Sequence, residues 1–145
     1  MSEVETSPVA RTNGVRDVEV RVWADAEQVP LLRSFAADIA MRLDFDLDAI
    51  EDLRMAVDEA CSLLVRAAAA DSALLCWFEP EEHGIRVRVR VDAEHGEPPS
   101  GDAMGWQILT ALAATVTETV EAVDGGHRVT VELLAVPGPG EVDPR

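Results

Sequence analysis

The chain has 145 residues and a formal net charge of -16, and all 12 of its basic residues are arginine. This length fits a single domain with one core. The absence of lysine excludes a Walker-type phosphate loop and Schiff-base chemistry, because both need a lysine amine. So large a negative charge disfavours direct binding to nucleic acid and favours basic protein partners.

Membrane, disulfide and metal functions are not indicated by the composition. No apolar stretch approaches the ~20 residues of a membrane span, and the first residues lack a signal-peptide core, so we expect a cytoplasmic protein without membrane contacts. Cys61 and Cys76 lie among apolar residues without CxxC spacing and are interpreted as core thiols. The three histidines are isolated in the sequence, so no metal site is predicted.

The first half of the chain predicts a strand and two helices. Valines alternate with charged residues over 18–22, which indicates a half-buried strand. A helix follows, preceded by Asp25 and Gln28 at the spacing of a capping box. Acidic residues mark the start of a longer helix over about 46–69, since they suit the positive end of a helix dipole. The predicted apolar stripe of the first helix is Leu32, Phe35, Ala36, Ile39 and Leu43.

Two adjacent strands are predicted after the long helix. Residues 73–78 are nearly all apolar, which is typical of a central strand, and residues 85–91 alternate strictly between apolar residues and arginine. The turn between them is expected to contain Pro80 and Gly84.

The remaining elements are a loop, a short helix and a hairpin. Residues 92–102 read DAEHGEPPSGD and are expected to form a loop or lid. A short helix around Trp106 follows, and strands over 117–123 and 128–136 are joined by a glycine-containing hairpin turn.

This order predicts an α+β fold. It is a two-layer sandwich in which a mixed, mostly antiparallel sheet is covered on one face by helices. The expected domain covers residues 16–136. Flexible segments are expected at 1–15 and 137–145, because the first is polar and the second is rich in proline and glycine.

The run MAVDEACSLL at 55–64 resembles the first nucleotide motif of the histidine-kinase-like (GHKL) ATPase superfamily. Residues 58–62 follow the pattern of its anti-sigma factors, which are related to serine-protein kinases. The resemblance implies that Glu59 is the general base of an active member and that an asparagine four residues later holds Mg²⁺. This chain has Leu63 there, and an alkyl chain cannot coordinate a hard cation.

Two further motifs of that superfamily are partly present. In the second, Asp92 would accept a hydrogen bond from adenine and Gly96 matches a glycine, but Glu94 replaces another. In the third, whose backbone N–H groups wrap phosphates, Gly105 remains and Ala103 replaces a glycine. The resemblance therefore implies a degenerate ATP site, with no cofactor as the leading expectation and ATP with Mg²⁺ as the alternative.

The resemblance also implies a function and partners. It predicts a bacterial anti-sigma factor of the stress-response type, a homodimer that sequesters an alternative RNA polymerase sigma factor and is released by an anti-anti-sigma antagonist. Partner contacts are expected on the first helix, at Arg33, Asp38 and Arg42. One alternative is an active kinase that phosphorylates the antagonist with Glu59 as base, and another is a sensor domain that binds a different small molecule.

Two groups of charged residues also have simpler interpretations. Asp58 and Glu59 fit the solvated side of an amphipathic helix. The arginines at 86, 88 and 90 project from one face of a strand, where pairing with Glu19 and Glu132 on neighbouring strands would stabilise them.

Overall fold

The computed structural model describes residues 11–12 and 15–138. Within the predicted flexible segment 1–15, residues 11–12 and 15 take part in two short paired strands. Its other residues lie outside the described part, as do residues 139–145 of the predicted tail. In chain order the elements are β1 (Arg11–Thr12), β2 (Val15–Arg16), β3 (Val18–Trp23), a 3-10 helix (Ala26–Gln28), α1 (Val29–Arg42), α2 (Leu47–Ala67), β4 (Ala73–Glu81), β5 (Gly84–Ala93), a 3-10 helix (Pro99–Gly101), α3 (Ala103–Leu112), β6 (Thr115–Val123) and β7 (Gly126–Ala135).

The five long strands form one sheet in the order β3-β4-β5-β7-β6. This confirms the predicted α+β class. Every neighbouring pair of these strands is antiparallel, however, whereas the sequence pattern suggested a mixed sheet. Tight turns join β4 to β5 and β6 to β7, and such short connections can join only antiparallel strands. Gly125 in the second turn has a φ of 78°, a conformation that glycine adopts without strain.

The turn between β4 and β5 is shorter than predicted. Pro80 pairs with Ile85 inside the ladder, so it belongs to β4. The last pairing between β4 and β3 joins Phe78 to Val18, and Pro80 lies beyond it. The missing N–H of proline therefore does not interrupt the ladder with β3.

Side-chain caps set the starts of the helices. The Asp25 carboxylate accepts a hydrogen bond from the Glu27 N–H at 3.0 Å, so it caps the first 3-10 helix rather than α1. Pro30 lies in the first turn of α1, where its missing N–H would have no helical acceptor. Asp46 caps α2 by accepting from the Ala49 N–H at 2.8 Å.

The core lies between one face of the sheet and the helices. Inward-facing residues of β5 such as Val87 and Val89 are 0% exposed, and so is Val57 of α2. Burying each side chain of this kind contributes roughly 1.5–3 kcal/mol. No helix in the described residues covers the other face, which carries Trp77 and the arginines of β5 and which we call the open face.

One predicted core residue lies outside this core. Phe35 is 42% exposed, while its neighbour Ala36 is 0% exposed. Phe35 therefore lies at the margin of the buried stripe of α1, and Ala36 lies near its centre. No described helix is long and apolar enough to cross a membrane.

Candidate functional site

Two residues of the predicted nucleotide motifs, Glu59 and Gly105, meet where α3 packs against α2. Glu59 is partly exposed in the middle of α2, and Gly105 is buried in the first turn of α3. A Cβ added at Gly105 would lie 2.7 Å from Glu59 Oε2 and 2.9 Å from Leu63 Cδ2. Any larger residue at this position would have to displace the ends of both side chains. The close approach of the helices also places the Glu59 carboxylate beside the positive end of the α3 dipole.

The position at which the resemblance requires a magnesium ligand carries a buried hydrocarbon side chain. Leu63 is 6% exposed and packs against Gly105. Mg²⁺ takes oxygen ligands in a strict octahedral arrangement, and leucine has none. Within residues 11–12 and 15–138, no three His, Cys, Asp or Glu side chains are grouped to hold a metal ion. These side chains do not fit a magnesium–nucleotide complex.

Asp92 points away from Glu59 and Gly105. Its neighbours Val91 and Ala93 are buried under the helices, so Asp92 projects from the open face, where its carboxylate accepts a hydrogen bond from Arg128 Nε at 3.3 Å. The inward-facing residue at this end of β5 is Ala93, which has no oxygen on its side chain. The sheet thus separates the predicted adenine acceptor from the rest of the predicted site.

Gly96 lies in the loop after β5, against the ring of His127. A Cβ at Gly96 would be 2.8 Å from the ring atoms Cδ2 and Nε2 of His127. The Nδ1 atom of His127 is buried and has no hydrogen-bond partner within residues 11–12 and 15–138. The structure therefore explains Gly96 by its packing on an aromatic ring.

The loop from Glu94 to Asp102 is attached at two points. Ser100 donates from its backbone N–H and its hydroxyl to Glu118 of β6, at 2.9 and 2.6 Å. Asp102 caps α3 by accepting from the Gly105 N–H at 3.0 Å, and Arg66 of α2 donates to the same carboxylate at 3.2 Å. The Gly105 N–H, and then Arg66, hold the pKa of Asp102 below its usual value. The loop is thus tied to both α2 and the sheet.

A family model described as a histidine kinase-like ATPase domain matches residues 22–133. This chain belongs to that family. It is 34% identical over 116 residues to anti-sigma-F factor RsbW of Mycobacterium tuberculosis, covering 80% of this chain and 69% of that protein. It is also 39% identical over 51 residues to serine-protein kinase RsbW of Bacillus thuringiensis, covering 35% of this chain and 32% of that protein. The predicted kinship with anti-sigma factors of the GHKL superfamily is confirmed.

The three predicted partner residues of this histidine kinase-like domain do not form one cluster. Arg33 donates to Asp58 at 2.8 Å and so joins α1 to α2 close to Glu59. Asp38 and Arg42 pair with each other at 2.7 Å, one helical turn apart, on the exposed side of α1. Arg33 therefore belongs with the Glu59 region, and the other two residues form a separate exposed pair.

The arginines of β5 are neutralised mainly by the neighbouring strands. Arg86 contacts Glu132 of β7 at 2.8 Å, as predicted, and Glu81 of β4 at 2.6 Å. Arg88 pairs with Glu79 of β4 at 2.6 Å. The predicted pairing with Glu19 was wrong, because β4 lies between β3 and β5.

Trp77 lies between two of these arginines in the histidine kinase-like sheet. The guanidinium carbons of Arg88 and Arg90 lie 5.0 and 4.8 Å from the centre of its ring. A cation above an aromatic face is attracted by the ring quadrupole. This part of the open face is therefore held together by its own contacts.

Sequence reasoning missed the residues that hold the loop over α2. Arg66 and Asp102 are 36 positions apart, and Ser100 and Glu118 are 18 apart. Neither pair belongs to a periodic pattern or to a nucleotide motif. Only the Asp102 cap had a local signal, since aspartate often precedes the first residue of a helix.

Proposed function

We propose that this domain is an anti-sigma factor that sequesters an alternative RNA polymerase sigma factor without using ATP. An anti-anti-sigma antagonist releases the sigma factor by competing for an overlapping surface. The protein acts in the bacterial cytoplasm in a stress response, and it regulates by binding rather than by phosphoryl transfer.

The packing of Leu63 against Gly105 is the observation that carries this proposal. A magnesium ion at this point would need an oxygen ligand, and the side chain there is an alkyl group that has none. Without the metal, the charge on the β- and γ-phosphates of ATP goes largely unneutralised, because the neighbouring Arg66 already pairs with Asp102. Asp92 on the opposite face of the sheet further supports a domain that does not grip adenine.

The distribution of charge supports a basic partner. Residues 25–60, which include α1 and most of α2, contain ten acidic residues and three arginines. Sigma factors bind DNA and therefore present basic surfaces, which an acidic partner attracts and covers. The family membership and the anti-sigma-F relative give this partner class its support.

Co-expression with each sigma factor of the same genome tests the proposal. We expect a stable complex with at least one of them, loss of transcription dependent on it, and an affinity that falls as salt concentration rises. The complex should form equally well with and without ATP and Mg²⁺. A complex that needs nucleotide, or no complex with any sigma factor, would reject the proposal.

The active kinase is the second candidate, because Glu59 is retained and one group of relatives is named serine-protein kinase. It requires transfer of radiolabel from ATP to the antagonist, with loss of transfer in Glu59→Ala. We expect the wild type to transfer no more radiolabel to the antagonist than Glu59→Ala does. Leu63→Asn is the matched control for the kinase assay. It introduces the amide that active members of the superfamily carry at the magnesium position and changes nothing else.

Two further proposals concern assembly and contacts. We expect a homodimer, which sedimentation equilibrium measures directly, and a monomer at micromolar concentration would contradict it. We also propose that Arg33, Asp38 and Arg42 contact the partners. Charge reversal at Arg33 should change both sigma and antagonist binding, and unchanged affinities would remove it from the surface.

A further inference from the structure

Exposed apolar side chains are concentrated on the helices. Nine large apolar side chains of the described residues are exposed, and seven of these lie on α1, α2 and α3. They are Leu31, Phe35, Met41, Leu47, Met55, Met104 and Ile108. Solvent-exposed methionine is typical of surfaces that adapt to a protein partner. The helical layer is therefore the side on which to look for such a surface.

A groove between α2 and α3 joins some of these side chains to charged residues. It has a volume of about 290 Å³, and Met55 and Ile108 form its apolar part. Met104 lies one turn before Ile108 on α3, on the same side of the helix. Met104 therefore extends the exposed apolar surface of α3 beyond the residues that line the groove.

The charged part of this groove has one carboxylate in excess. Both of its arginines are already paired, Arg33 with Asp58 at 2.8 Å and Arg54 with Glu51 at 3.0 Å. Glu59 also lines the groove, and it has no ion-pair partner within residues 11–12 and 15–138. The groove can therefore accept one further cation without displacing an existing pair.

We propose that the α2–α3 groove docks a basic amphipathic helix of the partner protein. An arginine or lysine of that helix pairs with Glu59, and its apolar side chains cover Met55 and Ile108. A helix lying in a groove between two helices is a common mode of recognition, read by residues three or four apart. The inference rests on the proposed function in naming the sigma factor as the partner, and it gives Glu59 a binding role in place of a catalytic one.

The charge around the groove identifies the occupant. Ten acidic residues against three arginines over 25–60 repel an acidic helix and attract a basic one. A nucleotide is disfavoured for the same reason, since its phosphates would meet Glu51, Asp58 and Glu59. Because the apolar part is exposed, burial of Met55 and Ile108 adds affinity that a charge contact alone does not give.

The experiment uses the full chain with carbon-13 in its methionine methyl groups. The probe is a synthetic helix of about 20 residues with leucine every third or fourth position and arginine elsewhere, a length at which isolated helices can form. We expect the NMR signals of Met55 and Met104 to shift on binding, while that of Met41 at the end of α1 stays. Two control peptides replace arginine by glutamate, or leucine by serine, and neither should shift Met55.

Variants separate the groove from general attraction between charges. Glu59→Gln should weaken the basic peptide about tenfold and reduce the salt dependence of binding, and Met55→Asp should weaken it by about tenfold or more. Leu31→Asp is the matched control, because Leu31 is 51% exposed and Met55 is 52% exposed. It should change the affinity by less than about twofold. Circular dichroism checks that each variant is folded.

The outcomes distinguish this inference from the proposed function. Equal shifts at Met41 and Met55, or no effect of Glu59→Gln and Met55→Asp, would reject the groove. A sigma complex that tolerates Met55→Asp and Glu59→Gln would also reject the groove while the anti-sigma function stands. Binding of the peptide in the groove, with no complex formed by any sigma factor, would reject the function and leave the groove as the site of another basic partner.

Discussion

The two faces of the sheet, which both include side chains of β4, differ in how many of their charged residues form ion pairs. On the open face, the five strands of the sheet together carry five arginines and six acidic residues, and most of those arginines contact a carboxylate or Trp77. On the helical side, residues 25–60 carry ten acidic residues and three arginines. The charges of the open face are nearly equal in number and mostly paired, whereas the helical side has an excess of carboxylates that can attract a partner. Much of the net negative charge of the chain is therefore located on the helical side.

The largest expected effect comes from the covered side of β4. Phe78 is 0% exposed, so Phe78→Ala should lower the free energy of unfolding by about 3–5 kcal/mol through lost burial and a new cavity. Urea unfolding followed by circular dichroism measures it. A loss below about 1 kcal/mol would mean that the helices do not pack on this face as described.

Its neighbour on the open face provides the contrast. Trp77→Ala removes the ring between Arg88 and Arg90 but opens no enclosed cavity, so we expect a loss of about 1–2 kcal/mol. The same urea experiment applies. If this variant were as unstable as Phe78→Ala, the open face would have to be covered in solution, for example in the proposed homodimer.

A smaller effect is expected for a single charge of the open face. Arg86 lies between Glu81 and Glu132, and all three side chains are about one-third exposed. Arg86→Met should cost about 1 kcal/mol at low salt and less at high salt, because solvent and ions screen exposed pairs. Glu132→Gln in the Arg86→Met background should add little further loss. A full additional loss would show that the pair is not coupled.

The smallest expected effect concerns the loop that closes against α2. The pKa of Asp102 is lowered from its ordinary value of 3.8 by the Gly105 N–H and Arg66, so its ionised form stabilises the fold. That contribution is present above about pH 4 and disappears as the pH falls through the lower pKa of the folded state. The difference in urea midpoint between the wild type and Asp102→Asn should therefore shrink from pH 7 to pH 3. A difference that does not depend on pH would show that the carboxylate charge is not involved.

The elements could be predicted from the sequence because their signals are local. The alternation in β5 and the apolar spacing of α2 gave both elements to within a few residues. The same alternation also predicts the face of the sheet from which Asp92 projects. Residues 86, 88, 90 and 92 share one face of a strand, so an aspartate in line with the arginines projects from the open face. The motif comparison alone could not show this.

Other features needed the folded chain. Glu19 was assigned to a strand beside β5, but strand order depends on how the sheet assembles and not on any one segment. The contacts of Arg66 with Asp102 and of Ser100 with Glu118 depend on how the loop after β5 packs against α2 in the folded chain. The exposure of Phe35 was missed because an apolar residue at the margin of a helical stripe can be either buried or exposed.

Ala93 occupies the inward-facing position at the end of β5, where a polar side chain would be costly. It is 3% exposed at the end of β5 and forms a backbone bridge to Ala68, just past α2. A carboxylate introduced there would be buried without a cation and would cost several kcal/mol, a large part of a small domain's stability. A substitution that adds a carboxylate at Ala93 would thus lower the stability of the fold unless neighbouring residues such as Leu63 and those of the loop changed with it.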